Sequence, residues 1–445
     1  MFDSATSPSN LVGIGLGLAL LLCLVLMQRV NSRPLPPGPW SYPFVGHLFS
    51  MPASNSHLAF IKLGNQLKTN ILSLSSLGRT TVVLNSVEDA TNLLKNRSGI
   101  YSDRYCPPML ADPLLALSGT LLRSIYGYSI GGKDDPLLEQ AMEFVQNLCE
   151  AAIPGNFLVN TFPSLRYIPS WFPGARWKQV AREWREQKNK TLNDFYSKTK
   201  EKIALGNHEQ SIIASSLSEA KALGLSSEEA DDYLSHIGIT LYLGGTDTTC
   251  NVILVFFIAM IHFPATQQKA QAEIDEVIGD SRLPEMEDMH QLPYTNCLIQ
   301  EVLRWCPIVP LGVPHAASKD DFYRGFYIPK GATVIGNIWA MSRDKRFYKD
   351  PEEFNPDRFS DPLVPPCPAF GFGRRECPGI HFAESSLFSI IASILASFNI
   401  KGPENIKSSA PELVSTNDFV FHPKEFEVLM EPRSVKHAHL ICSEI

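Results

Sequence analysis

One stretch decides the fold of this chain: FGFGRRECPG, which runs from Phe370 to Gly379. Its single cysteine, Cys377, follows a glycine-rich turn and precedes a helical pattern, with Arg374 and Arg375 close by. Glycines let the backbone approach a bulky planar ligand, and the N–H groups of such a turn can lower the pKa of a thiolate. A thiolate that ligates haem iron needs this environment. On the residues alone, a buried structural cysteine in a glycine-rich turn is an equal alternative.

The stretch resembles the haem-binding signature F-x-x-G-x-R-x-C-x-G of the cytochrome P450 superfamily, with each fixed position filled. The resemblance implies that Cys377 is the axial ligand of the iron of haem b and that Arg375 pairs with a haem propionate. It also implies that Phe370 shields the sulfur. Gly373 and Gly379 would permit the close approach of the haem.

A second motif, Gly244-Gly245-Thr246-Asp247-Thr248-Thr249, lies inside a long apolar helical pattern from Asp231 to His262. Two glycines inside a helix cost about 1 kcal/mol each relative to alanine. They leave room for a small molecule to which an acid and an alcohol pass protons, whereas a kinked helix with solvated polar residues is the alternative. The motif is similar to the P450 oxygen-activation motif A/G-G-x-D/E-T-T. This similarity implies that Asp247 delivers protons and that the Thr248 hydroxyl stabilises the activated oxygen species.

Two short elements carry paired charges. Glu301 and Arg304 stand at i and i+3, and Arg358 lies in the sequence PDRF. In an unrelated helix such a pair is usually an ordinary surface ion pair. The elements resemble the P450 motifs E-x-x-R and P-x-R-F, which implies that the three residues form a buried, structural charge network behind the haem.

The stretch 308–315 (IVPLGVPH) leads into a strand, and the resemblance implies that it lines the substrate pocket. His315 is predicted to contact a haem propionate, with a surface histidine as the alternative. The predicted lining residues are Leu241, Tyr242, Gly245, Val309, Leu311 and Val313, with 415–419 near the C-terminus. Since they are apolar or small, the predicted substrate is lipophilic.

The N-terminal residues predict a membrane anchor. Leu11–Met27 carries no charge and would span about 26 Å as a helix, enough for a thin bilayer. A cleaved signal peptide is the alternative, but no Lys or Arg precedes the apolar run and no A-x-A-like site follows it. Arg29 and Arg33 place the body of the chain in the cytosol. The predicted organisation is a lumenal segment 1–10, a transmembrane anchor 11–29, a proline-rich hinge 30–39 and a catalytic domain 40–445 in the endoplasmic reticulum membrane.

Composition excludes several classes of protein. With 44% hydrophobic and 19% charged residues the chain is too apolar to be disordered. A net charge of −7 means that it has no excess of basic residues for binding nucleic acid. Nine scattered cysteines without a C-x-x-C pair argue against a disulfide framework or a zinc site. Short β-like stretches at 71–77, 80–84 and 308–340 between long helical patterns predict an α+β fold, mostly α. The resemblance makes this the P450 fold, a helical body with small sheets around a haem.

One block of the family pattern is absent. After Tyr101–Arg104, P450 proteins carry a substrate-contacting loop and then a helix with W-x-x-x-R, whose Trp and Arg hold the propionates. Here 107–113 runs directly into 114–128, so the domain is predicted to be shortened near 110–114 by roughly 60–80 residues, about half of a small domain. Two explanations stay open: a divergent or mis-spliced product that binds little haem, or a shortened working enzyme that holds haem through Arg375, His315 and the thiolate.

The resemblance implies a haem-thiolate monooxygenase that hydroxylates or epoxidises a small lipophilic substrate with O2. Electrons would come from NADPH through a separate P450 reductase, because the chain shows no Gly-rich phosphate loop of its own: the run Gly13–Gly17 lies in the predicted anchor. Details such as Val313-Pro314-His315 resemble fungal microsomal members of secondary metabolism. The alternatives are a haem-thiolate isomerase or dehydratase, which needs no electrons, and an inactive, haem-poor, membrane-bound paralogue.

Overall fold

The computed structural model describes residues 33–104 (apart from 43, 44, 53 and 77), 125–128, scattered positions between 137 and 151, 156–403 (apart from 209) and 419–437. Several predictions fall elsewhere. The lumenal segment, the anchor 11–29, the start of the hinge, the shortened junction at 110–114 and residues 415–418 lie outside the described residues.

Helices form most of this described part. Those longer than ten residues are α1 (Ser56–Leu67), α2 (Arg176–Ala204), α3 (Ile212–Ala222), α4 (Ser227–His262), α5 (Pro264–Val277), α6 (Pro293–Trp305) and α7 (Ile380–Ser397). Shorter helical segments are Leu48–Ser50, Val87–Ala90, Thr91–Asn96, Ser98–Tyr101, Leu158–Thr161, Pro163–Tyr167, Met286–Gln291, Ile338–Met341, Pro356–Ser360 and Gly373–Arg375.

The strands form small sheets. They are β1 (Ile71–Ser76), β2 (Arg79–Leu84), β3 (Asp103–Arg104), β4 (His315–Ala316), β5 (Asp321–Tyr323), β6 (Phe326–Ile328), β7 (Thr333–Gly336), β8 (Phe398–Lys401) and β9 (Leu429–Pro432). The largest sheet has the order β1-β2-β7-β4-β3, with β2 and β7 parallel and its other neighbours antiparallel. This topology places two residues 211 positions apart in sequence, Arg104 and His315, directly opposite each other.

Helix α4 is the longest element and organises the core. It begins at a capping box: the Glu229 N–H donates to the Ser226 hydroxyl, and the Ser226 N–H donates to the Glu229 carboxylate. The box starts the helix four residues before Asp231, the predicted start, because a cap signal precedes the apolar pattern. Helix α4 runs without a break through Gly244 and Gly245. Its C-terminal half packs with α6 and α7 around the largest core cluster.

The predicted mostly helical architecture with small sheets is confirmed. The predicted single N-terminal transmembrane helix is not confirmed, because its residues lie outside the described part of the chain. Within the described ranges, two helices have the length and apolarity of a membrane span, α4 and α7. Both contribute completely buried side chains to the core, such as Val255 and Phe388, so their apolar faces serve packing against each other.

Candidate haem-thiolate active site

The cysteine loop ends where α7 begins. Cys377 is half-buried, and its N–H donates to the carbonyl of Phe370 at 2.8 Å, which closes the turn. Gly373 has a φ of +64°, and a Cβ built on it would lie 2.6 Å from the carbonyl oxygen of Leu94. This glycine therefore permits the backbone of Thr91–Asn96 to approach. The close approach of the haem that the resemblance implies for Gly373 stays a prediction.

The protonation of Cys377 also differs from the expectation. Burial raises the pKa of its thiol, the backbone hydrogen bond from Gly379 lowers it, and the charge of Glu376 raises it, with a net rise. The sequence suggests a lowered pKa, but one N–H does not outweigh burial. A bound cation deprotonates a ligating thiol outright, so the loop suits a thiolate only together with its metal.

Arg104, His315 and Arg375 lie together beside this loop and are called here the open cation cluster. Arg104 donates to the carbonyls of Val313 and Arg375, at 2.5 and 3.0 Å. Arg375 donates from Nε to the carbonyl of Ser102 at 2.8 Å. Backbone carbonyls thus hold both guanidinium groups in place.

The open cation cluster owes its positive charge to Arg104 and Arg375. Burial and the neighbouring charge of Arg375 lower the pKa of Arg104 to about 10. Among the residues that the structure describes, neither Arg104 nor Arg375 pairs with a carboxylate. Two guanidinium groups held apart from any carboxylate fit the paired propionates of a haem, since arginine binds carboxylates with charge-assisted hydrogen bonds. The described residues therefore fit the group that the motif implies.

His315 is buried, with 5% of its surface exposed, so the alternative of a surface histidine is wrong. Its Nδ1 lies 2.7 Å from the carbonyl oxygen of Tyr101 and must donate to it. Burial, together with Arg104 and Arg375, lowers its pKa to about 4. A neutral ring that donates from Nδ1 has no proton on Nε2. His315 would therefore donate to a propionate only if the propionate charge offsets the two arginines.

The acid and alcohol of α4 occupy different settings. Thr248 donates from Oγ1 to the carbonyl of Gly244, and a Cβ built on Gly244 would meet no atom within 4 Å. Open space thus lies beside this turn of the helix, as small-molecule access would require. The Asp247 carboxylate is 18% exposed and lies 2.8 Å from Nε2 of His422. Sequence reasoning missed His422, because nothing in its surroundings, FVFHP, indicates a partner 175 residues away.

Glu301, Arg304 and Arg358 come together in a closed charge network. Arg304 donates to both carboxylate oxygens of Glu301, at 2.7 and 2.8 Å, and Arg358 Nε lies 3.1 Å from the same carboxylate. Glu301 and Arg304 are completely buried. Carbonyls, including those of Ser342 and Pro351, accept the other Arg304 protons. An ordinary surface ion pair, the alternative for these residues, is wrong.

The predicted pocket residues do not form one group. Leu241 and Gly245 are half-buried on α4, and Val313 is exposed. The prediction that Tyr242 lines the pocket is wrong. Its side chain is completely buried, and its ring lies 5.8 Å from that of Phe195 on α2. Tyr242 therefore packs between two helices and lines no open space. Leu311 packs against the β1–β2 cluster, and Val309 lies half-buried in a turn closed by the Gly312 N–H.

Comparison with known proteins agrees with these features. The sequence model of the family described as cytochrome P450 matches residues 115–430. Cytochrome P450 monooxygenase 208 of Postia placenta is 34% identical, with 92% of each chain covered. A cytochrome P450 monooxygenase of Armillaria gallica is 32% identical over 93% of this chain and 95% of its own, and one of Coprinopsis cinerea is 33% identical over 92% and 91%.

The alignments also bear on the length of the chain. The alignment with the Postia placenta protein runs over 479 positions and takes in 92% of the 445 residues, or about 409. About 70 alignment positions therefore have no residue of this chain. The family match begins at residue 115, next to the predicted junction at 110–114. The loss of the W-x-x-x-R helix itself stays a prediction.

Proposed function

The chain belongs to the cytochrome P450 family, and on that premise we propose that it is a haem-thiolate monooxygenase that oxygenates a small lipophilic substrate. The observation that carries the proposal is the loop that places half-buried Cys377 two residues from Arg375, one of two arginines that pair with no carboxylate among the described residues. The relatives named above are monooxygenases.

In this proposal different residues of the chain contact different parts of the cofactor. Cys377 would ligate the iron, and Arg104 and Arg375 would donate to the propionates. Phe370 packs beside the loop on the core shared with α4 and shields the sulfur. Haem held in this way supplies O2 activation, the chemistry that no side chain offers.

Asp247 and Thr248 move protons in this proposal. The overall reaction takes R–H, O2, two electrons and two protons to R–OH and water. A partly exposed carboxyl group and a hydroxyl beside open space suit the delivery of those two protons. The isomerase or dehydratase alternative does not consume two protons to reduce O2. The acid–alcohol pair would then have no role in proton delivery.

The electron source and the setting are part of the same proposal. Electrons come from NADPH through a separate P450 reductase, in line with the monooxygenase relatives. The chain is proposed to act at the endoplasmic reticulum membrane, in fungal secondary metabolism. Tyr167 and Trp171 support contact with lipid, because they lie in the loop 162–174 with 74% and 80% of their surfaces exposed.

A reduced carbon-monoxide difference spectrum of the purified full chain tests the proposal. Wild-type protein is expected to show the Soret band of thiolate ligation, and Cys377→Ala is expected to lose it. Cys297→Ser is the matched control, since Cys297 is also a half-buried free cysteine but lies on α6. A band that persists in Cys377→Ala contradicts the ligand assignment. Substrate-dependent consumption of NADPH and O2 separates the monooxygenase from an isomerase.

A second candidate is favoured by the 70 alignment positions that this chain lacks. It is a haem-poor, membrane-bound paralogue without activity. The ratio of haem to protein after expression with excess haem decides between the two: a value near one supports the enzyme, and a value near zero supports the paralogue. Loss of one charge-assisted propionate contact costs about 1.5–3 kcal/mol, which a thiolate and two arginines can offset.

A further inference from the structure

The carboxylate of Asp247 is held by a residue from the far end of the chain. His422 Nε2 lies 2.8 Å from Asp247 Oδ1, and the two side chains are 28% and 18% exposed. Asn251, one turn further along α4, donates from Nδ2 to the Asp247 carbonyl at 2.7 Å and to Oδ1 at 3.1 Å. The same carboxylate oxygen thus faces a titratable donor and a donor that does not titrate.

The position of His422 is fixed by the backbone that carries it. The Phe421 N–H donates to the carbonyl of Ile308 at 2.7 Å. Val420 and Phe421 are 5% and 2% exposed and belong to the core cluster that includes Val255 of α4. The imidazole therefore cannot move far from Asp247 unless this part of the core opens.

Both nitrogens of the His422 ring face acceptors. Nδ1 lies 3.1 Å from the carbonyl oxygen of Val420, and a carbonyl only accepts, so Nδ1 carries a hydrogen. The contact between Nε2 and Asp247 Oδ1 needs one further hydrogen, either on Nε2 or on the carboxyl group. The pair therefore holds one proton more than a carboxylate beside a neutral imidazole.

The electrostatic effects on His422 agree with a pair that holds one extra proton. Burial lowers the pKa of His422, but the hydrogen bond and charge of Asp247, with the Val420 carbonyl, outweigh burial and raise it. In the described structure, Asp247 is the charged group that acts on His422, and the thiol of Cys250 faces Asp247. Burial and then Asp247 raise the pKa of that thiol, so Cys250 remains neutral and adds no charge.

We propose that His422 is the positioning residue of the proton-delivery acid: its imidazolium holds the proton that it shares with Asp247 and renews it from solvent. The inference rests on the proposed monooxygenase function. In the step, the Asp247–His422 pair gives up one proton on the side of Thr248 and becomes a carboxylate beside a neutral imidazole. One proton from water at the exposed edge of the imidazole restores the pair, so that protons balance over the cycle and no electrons move.

Variants of His422 test the proposal in the full-length, haem-loaded chain with its reductase. His422→Gln keeps a donor but carries no extra proton. It is expected to retain the thiolate band and NADPH oxidation, while the share of electrons that reaches product falls about tenfold and hydrogen peroxide rises. Wild-type coupling is expected to fall as pH rises through the raised pKa of His422, whereas coupling in His422→Gln stays low and flat. His422→Lys, a permanent cation, is expected to restore coupling and to move its fall to higher pH.

The control is His236→Gln. His236 lies on α4 beside the carboxylate of Asp232 at 3.7 Å, but both side chains are far more exposed. This variant is expected to keep wild-type coupling and its pH profile. If His422→Gln matches His236→Gln in coupling and in pH profile, the proposal is overturned.

A readout independent of turnover is the nitrogen NMR spectrum of the chain with ¹⁵N-labelled histidine. One ring is expected to keep both nitrogens protonated to higher pH than the exposed histidines do. Its signal is expected to vanish in His422→Gln and to titrate at lower pH in Asp247→Asn. A His422 ring that loses its second proton at the same pH as the exposed histidines overturns the proposal. Absence of the thiolate band in wild type overturns the proposed function and with it the delivery role, while the NMR titration still decides whether His422 holds the proton.

Discussion

Two regions of this protein each contain a pair of arginines, and they use them in opposite ways. In the closed charge network, Arg304 and Arg358 share the carboxylate of Glu301, and backbone carbonyls accept the remaining Arg304 protons. In the open cation cluster, Arg104 and Arg375 meet carbonyls and each other, with no carboxylate partner among the described residues.

The difference between the two regions indicates which of them is suited to bind an anionic ligand. A buried arginine whose charge is neutralised and whose donors are occupied stabilises one backbone arrangement. Arg104 and Arg375 repel each other, and burial together with this repulsion lowers the pKa of Arg104. An anion relieves that repulsion. The closed network should therefore matter to folding whether or not haem is bound, and the open cation cluster should matter to haem binding.

The largest effect is expected for Glu301→Gln. The change leaves two guanidinium groups without a counterion in a site where Glu301 and Arg304 are completely buried, which costs about 3–5 kcal/mol. Thermal and denaturant unfolding of the chain measure it. Glu431→Gln is the control, because Glu431 pairs with Lys401 at the surface and its loss costs about 1 kcal/mol at most. Equal losses in the two variants would contradict the role assigned to burial.

The next effect is a dependence of stability on pH. The pKa of His315 lies at about 4, below the 6.5 of the unfolded chain, so below pH 6.5 the unfolded state binds more protons. The stability that His315 contributes is present above pH 6.5 and is lost as pH falls toward 4, by up to about 3 kcal/mol. Unfolding midpoints of the haem-free chain between pH 7 and 4, compared with His315→Gln, measure this.

His57 provides a comparison for the pH dependence that arises from His315. It too is buried, and burial and then the charge of Arg343 lower its pKa to about 4. His57→Gln should remove a similar dependence on pH. Bound haem should weaken only the dependence that arises from His315, since a propionate offsets Arg104 and Arg375 there. If haem leaves both dependences unchanged, the open cation cluster does not bind the propionates.

The smallest effect on folding is expected for Arg104→Gln, which removes a charge that no carboxylate among the described residues offsets. The unfolding free energy of the haem-free chain should change by less than about 1.5 kcal/mol. Haem should dissociate about 10- to 100-fold faster, because one charge-assisted contact of about 1.5–3 kcal/mol is lost. Transfer of haem to apomyoglobin measures the rate. Arg324→Gln, at an exposed ion pair with Glu88, is the control that should leave the rate unchanged.

Much of the fold followed from local pattern. The predicted strands at 71–77 and 80–84 correspond to β1 and β2, and the predicted helix from Asp231 to His262 corresponds to α4. These elements have strong periodicity or clear end signals, which depend only on neighbours in sequence. The prediction for Tyr242 failed because a helical position does not show which side of the helix faces another helix.

The sequence by itself determined the family, the position of Cys377 and the identity of the acid–alcohol pair, because each is written in residues that stand within ten positions of one another. Only the tertiary structure decided which charges meet. Arg104 reaches His315 because β3 pairs with β4, and His422 reaches Asp247 because the C-terminal segment packs on α4. Contacts between distant segments depend on how sheets and helices close around a common core. Electrostatic energies depend on the distance and burial that result, and spacing along the chain contains neither.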